Sequence, residues 1–217
     1  KTCFYYFHTM HKEGSLRALL REATHDQHIR LHKHPLLATI MQPNYQLGDY
    51  HKLLLAYFGL YQFVEARIQQ YLNNETVNFS YKERYKLPWL VNDLAFFHIK
   101  PIACNNLSLP VRHFPNITSL GQLVGILYVL EGSTLGASHM SLKLAEQHHL
   151  RPDAGSCFFS GYGDNTQYYW QQFIAFSDTL SGDIPQCQEA LKAACQTFEL
   201  FSELLDQALP QHYTLAS

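Results

Sequence analysis

Apolar residues recur at steps of three and four through most of the chain, and few segments alternate as strands do, so the pattern is that of amphipathic helices. After Gly14-Ser15, which supplies a cap, Leu16, Leu19, Leu20, Ala23, Gln27 and Leu31 follow at helical spacing and predict one opening helix. Pro35 and Pro43 bound a short second element. Residues 47–73 carry Leu53, Leu54, Tyr57, Phe58, Tyr61, Val64 and Ile68 on one broad face. Residues 81–97 predict a further helix, interrupted by Pro88, and 99–116, with three prolines, a loop. Thr118-Ser119 caps a long helix from Leu120 to about His149. A loop over 155–163 leads to a helix from Asp164 or Asn165 to Leu180, and Asp183-Ile184-Pro185 opens the last helix, to about Leu209. The fold class is all-α, a bundle of about seven or eight helices. Residues 1–14 read as an N-terminal extension outside the fold, with the functional start near Met10, and 15–210 as one helical domain.

The 217 residues suit one domain, and the 47% hydrophobic share supplies its core. A net charge of −2 gives no electrostatic case for nucleic acid or an anionic membrane. The longest apolar run, 123–130 broken only by Gly125, falls far short of the roughly 20 residues of a spanning helix. The five cysteines have no Cys-x-x-Cys pair, which argues against a disulfide scaffold or zinc ribbon and for reduced thiols in the cytoplasm.

Candidate chemistry sits in three places. His25, His28, His32 and His34 crowd the opening segment. On a straight helix His28 falls at the border of the apolar stripe, where a side chain reaches a cleft, while His25 and His32 turn further toward solvent. Arg21, seven residues earlier, lies about 10.5 Å along the same side. That separation matches the distance from a porphyrin's metal to its carboxylate edge, although an arginine there can equally pair with a nearby acid. The second place is Glu131-Gly132-Ser133-Thr134-Leu135-Gly136-Ala137-Ser138, inside an otherwise helical pattern. Each glycine costs about 1 kcal/mol relative to alanine. Gly132, Gly136 and Ala137 share a face that admits either a flat ligand or a closely packed helix. Ser133, Thr134 and Ser138 can hold water or bond back to the helix. The third is Phe158-Phe159-Ser160-Gly161-Tyr162-Gly163 with Thr166, Trp170 and Phe173, a tight loop feeding an aromatic helix.

Together these pieces resemble the haem oxygenase family. Leu20-Arg21-Glu22-Ala23-Thr24 followed by His28 is similar to its first-helix signature. Residues 127–137 are similar to its glycine-bearing distal helix, closest to the bacterial branch associated with phytochromes, as is Phe158-Phe159-x-Gly161-Tyr162-Gly163 with Thr166 and Trp170. The likeness runs from about residue 15 to 205.

The resemblance implies a haem-oxygenase-like bundle that clamps haem, cofactor and substrate at once, between two helices. His28 would ligate the iron and Arg21 would contact a propionate. Thr134 would belong to the haem-binding set, and Gly132, Ser133, Gly136 and Ala137 would form the distal wall where dioxygen attacks the ring. The products would be biliverdin, carbon monoxide and ferrous iron. Electrons would come from an external reductase or ferredoxin, and a biliverdin-accepting photoreceptor would be a partner. Three residues depart from the family pattern. Ala137 replaces a second glycine, Ser133 stands where animal members carry aspartate, and His32 stands where many carry a glutamate that supports the iron ligand. The helix after Asp164 has no basic residue, so Tyr162, Tyr168 or Tyr169 would have to hold propionates by hydrogen bonds. Three other classes remain open: haem storage without turnover; a di-iron oxidase using Glu65, Glu131 and His139, or a thiamin-degrading enzyme, on the same architecture, although no cysteine lies in a nucleophile motif; and a helical partner-binding module.

Overall fold

The structure, a computed structural model, describes residues 15–100, 114 and 116–209. The predicted extension and most of the proline-rich loop lie outside the described residues. Nine α-helices are present among them: α1 (Leu16–Ala23), α2 (His25–His32), α3 (Pro35–Ala38), α4 (Leu47–Asn74), α5 (Leu87–Phe96), α6 (Leu120–His148), α7 (Cys157–Ser160), α8 (Thr166–Asp178) and α9 (Ile184–Ala208).

Their ends follow local chemistry. Ser15, Ser119 and Asp183 accept from Ala18 N, Gln122 N and Gln186 N at 3.4, 3.2 and 3.1 Å, so each cap satisfies an amide that the first turn leaves unpaired. Pro185 fits the first turn of α9, where its missing N–H is not needed. His149 closes α6 in the left-handed conformation, with Leu150 N donating back to Leu144 O.

The predicted opening helix is two helices. Thr24 has left the helical region (φ −101°, ψ 2°) and its hydroxyl donates to Leu20 O at 2.7 Å. A threonine bonded back to the preceding turn competes with the regular ladder and bends the helix. The predicted 81–97 helix reduces to a 3-10 turn, Lys82–Arg84, and α5, with Pro88 in its first turn. The predicted 155–163 loop contains α7, a single turn built on Phe158 and Phe159.

The core is a contiguous apolar cluster drawn from α4, α5, α6, α8 and α9 and reached by α1 and α3. The most extensive packing is α6 on α9. A Cβ on Gly121 would lie 2.2 Å from Gln186 O, and one on Gly125 would lie 2.1 Å from Ala190 O. These glycines let the two backbones touch. Helix α6 is long and apolar enough by composition to cross a membrane, yet 61% of its most apolar window is buried inside the bundle.

Candidate functional site

A cavity of about 390 Å³ lies between the α1–α2 segment and the middle of α6. Arg21, Thr24, His25, His28, Leu31 and His32 form one wall, and α6 from Tyr128 to Met140 supplies most of the other. Phe158 and Phe159 of α7, Phe198 and Phe201 of α9, and Tyr57 and Leu60 of α4 close it with apolar surface. A concave, mostly apolar space with a few placed polar groups is the usual form of a small-molecule site.

On the α2 wall His25 and His32 are exposed, as expected, and they also line the cavity beside His28. The break at Thr24 ends the single straight helix on which the Arg21 to His28 spacing was drawn. His28 Nε2 and His32 Nε2 are 3.2 Å apart, with ring centroids 4.4 Å apart. Phe198 meets His28 edge-on at 6.1 Å. Burial, then the neighbouring His32 and His25, lower the pKa of His28. A neutral imidazole with an available lone pair is the form that binds a metal.

The α6 wall decides between the two readings of its glycines. A Cβ on Gly136 would meet nothing within 4 Å, and one on Gly132 only Trp170 Cζ3 at 3.9 Å. No helix backbone crowds them, and the ring of Trp170 only reaches contact distance of Gly132, so here glycine leaves room instead of permitting close backbone approach. Ala137 is buried on the same wall, and its methyl is the only side chain it adds. Ser133 Oγ donates to Leu130 O at 2.8 Å and lies 3.2 Å from Tyr61 OH. Thr134 is buried and bonds back to Leu130 O at 3.1 Å. Gly161, at φ +56°, fits against Thr134, whose Cγ2 would be 2.7 Å from any Cβ there, so α7 can close the end of the cavity.

Tyr162 and Tyr169 do not line the cavity. They stack on each other, centroids 4.1 Å apart. Tyr162 OH donates to Glu131 at 3.0 Å and accepts from Lys86 Nζ at 2.9 Å, while Tyr169 OH donates to Glu83 at 3.0 Å. Their hydroxyls are spent on protein partners, so among the described residues the cavity's cation is Arg21, which is exposed.

Sequence reasoning missed the network behind this pair. Glu131 takes Arg84 Nη1 and Lys86 Nζ, each at 2.7 Å, with all three side chains at most 2% exposed. Glu65 accepts from Lys86 N, Leu87 N and Tyr81 OH at 2.7, 3.1 and 3.1 Å. A buried carboxylate survives only when paired and hydrogen-bonded in this way. The signal in the sequence was slight: three cations, Lys82, Arg84 and Lys86, among Tyr81, Tyr85 and Leu87 in a segment that otherwise reads as solvated. The network also removes the di-iron arrangement. Glu65 and Glu131 are committed to donors, His139 is exposed, and the three form no ligand cluster.

Residues 14–207 match the family model described as Heme oxygenase. Solved structures with the same fold include the NO- and CO-bound haem oxygenase of Neisseria meningitidis (TM-score 0.73, 17% identity, 91% of this chain and 94% of that one). They also include the haem oxygenase of Leptospira interrogans (0.69, 20%, 89% and 100%). A third is haem oxygenase-1 of the cyanobacterium Synechocystis in complex with haem (0.71, 18%, 89% and 92%). No curated protein sequence matches the chain.

Proposed function

Because the chain belongs to the haem oxygenase family and is an oxidoreductase of that kind, we propose that it holds haem in the cavity between α2 and α6 and opens the ring to biliverdin, carbon monoxide and ferrous iron. The observation that carries this reading is the pairing of two unlike walls. One offers a neutral imidazole at His28, and the other, at Gly132 and Gly136, offers space that a side chain would fill. The residues present fit the group.

When bound, haem supplies both the iron at which dioxygen is activated and the ring that is oxidised. The chain supplies position and protons. His28 would hold the iron through Nε2, and its partial burial beside His32 and His25 favours the neutral imidazole that such a bond needs. Arg21 offers a guanidinium to a propionate, a pairing its fork geometry favours. Ser133 and Tyr61 hold an exchangeable proton at the α6 wall, because burial raises the Tyr61 pKa well above its ordinary value and keeps it a phenol. Thr134 and Ala137 set the width of that wall. The aromatic lining excludes water from the rest of the cavity.

Electrons come from an external reductase or ferredoxin. The likeness to the phytochrome-associated branch adds a biliverdin-accepting photoreceptor as the product's destination. Residues 15–210 act as the haem-binding unit. The buried thiols of Cys187 and Cys195 suit a reducing cytoplasm.

Hemin titration followed by reductant and dioxygen tests the reading. A Soret band with a six-coordinate, low-spin signature should form in the wild type and in His25→Ala and be lost in His28→Ala. Chromatography should then show biliverdin. A stable oxy complex with no green product would favour storage without turnover, and equal loss of the band in both variants would remove His28 as ligand.

A further inference from the structure

Helix α2 carries a metal-binding geometry that the haem reading does not use. We propose that in the haem-free protein Nε2 of His28 and Nε2 of His32 chelate one divalent first-row transition ion, and that this ion and haem exclude each other. The exclusion rests on the reading that His28 holds the haem iron; the chelate does not.

The two nitrogens are 3.2 Å apart. An imidazole nitrogen sits about 2.0–2.1 Å from zinc, so an ion bridging this gap would see an N–metal–N angle of about 100°. That value lies between the angles of tetrahedral and octahedral sites; without the ion the two nitrogens share a hydrogen bond, and the ion replaces it when both rings carry their proton on Nδ1. The pair is preorganised because residues four apart stand one above the other on a helix, and α2 is regular from His25 to His32. Both rings are exposed enough for water to complete the coordination shell. Borderline nitrogen donors suit zinc, cobalt, nickel or copper and not magnesium or calcium. Ferrous iron, the product metal in the haem reading, is of the same class. Among the described residues no third His, Cys, Asp or Glu joins the pair, so the ion has two protein ligands and exchanges readily.

The same contact explains the exclusion. The nitrogen that would bind haem iron is the one that faces His32. One lone pair cannot serve a chelated ion and a haem iron together.

The probes are cobalt(II), followed by its visible d–d bands, and zinc(II), followed by calorimetry, on the haem-free chain. One ion per chain should bind the wild type and the His139→Ala control, whose imidazole is exposed and outside the cavity. Both His28→Ala and His32→Ala should weaken binding more than tenfold; these exposed positions leave the fold intact, which circular dichroism checks. Unchanged affinity in either variant would overturn the chelate. Hemin titrated into zinc-saturated protein should then show weakened apparent affinity in the wild type and not in His32→Ala. Chelation without any effect on hemin would overturn the exclusion. Absence of hemin binding to the zinc-free wild type would instead sink the haem reading, while the zinc and cobalt results would still decide the chelate.

Discussion

Asp93 shows how much a single side chain can set. Its carboxylate, on α5, accepts Cys157 N at 2.7 Å and Phe158 N at 2.9 Å and so fixes the start of α7. Burial raises its pKa to about 6, against the opposing effect of the two backbone donors. An unfolded carboxyl loses its proton near pH 4. The folded form therefore prefers the proton. The stability this preference adds is fully present below about pH 4 and is lost as pH rises through about 6. The melting temperature of the wild type minus that of Asp93→Asn should fall between pH 4 and 7 and level off above, by calorimetry at half-unit steps. A constant difference would show that Asp93 titrates as an exposed acid does. Residues of this kind were partly legible. His28 stood out because it bordered an apolar stripe, and Arg21 because of its spacing. His32 is exposed, as the helical wheel has it, but a wheel drawn on a straight axis through Thr24 did not place it along the cavity. The partners of Tyr162 come from α6 and from the turn before α5, which no local pattern reveals.

At the scale of an element, α6 uses glycine for two opposite purposes. Gly121 and Gly125 face α9 so closely that no Cβ fits, while Gly132 and Gly136 face space. In sequence both pairs are simply glycines four residues apart in an apolar helix, and only the neighbouring element tells them apart. The difference is measurable. Gly125→Ala should destabilise the fold by roughly 1–3 kcal/mol, since the new methyl meets the backbone of α9. Gly136→Ala should stabilise it by up to about 1 kcal/mol, because alanine loses less entropy in a helix and meets nothing. The same substitution should weaken hemin binding, because its methyl enters the cavity. Denaturant unfolding and a Soret titration read the two effects separately. A Gly136→Ala variant as destabilised as Gly125→Ala would mean that α6 needs glycine there for its own packing. Helix positions and ends elsewhere in the chain were legible for a related reason. Long periodic faces and side-chain caps act locally, so residues 47–73 and the caps at Ser15, Ser119 and Asp183 read correctly. Segments 81–86 and 155–163 did not, because their conformation depends on buried partners contributed by α4, α5 and α6.

Across the whole molecule, burial is uneven. Helices α4, α6 and α9 bury long runs of side chains, whereas α2 buries only Leu31 and rests against α9 and its neighbours α1 and α3. Few buried contacts mean that α2 opens at lower free energy than the core, although it carries the histidines of the site. A ligand gripped between α2 and α6 adds the apolar contact that α2 lacks. It stabilises the native state by RT ln(1 + [L]/Kd), about 2.7 kcal/mol at a hundredfold excess over Kd. Hydrogen exchange should report where that stabilisation acts. In the haem-free chain the amides of His28 to His32 should exchange much faster than those of residues 123–130, which α9 covers. Hemin should slow the first group strongly. It should leave the second close to its starting rate until exchange there becomes limited by global unfolding. In His28→Ala, hemin should slow neither. If hemin protected α2 and the α6–α9 contact to the same degree from the outset, α2 would belong to the cooperative core, and the clamp would not be a mobile wall closing on a fixed one.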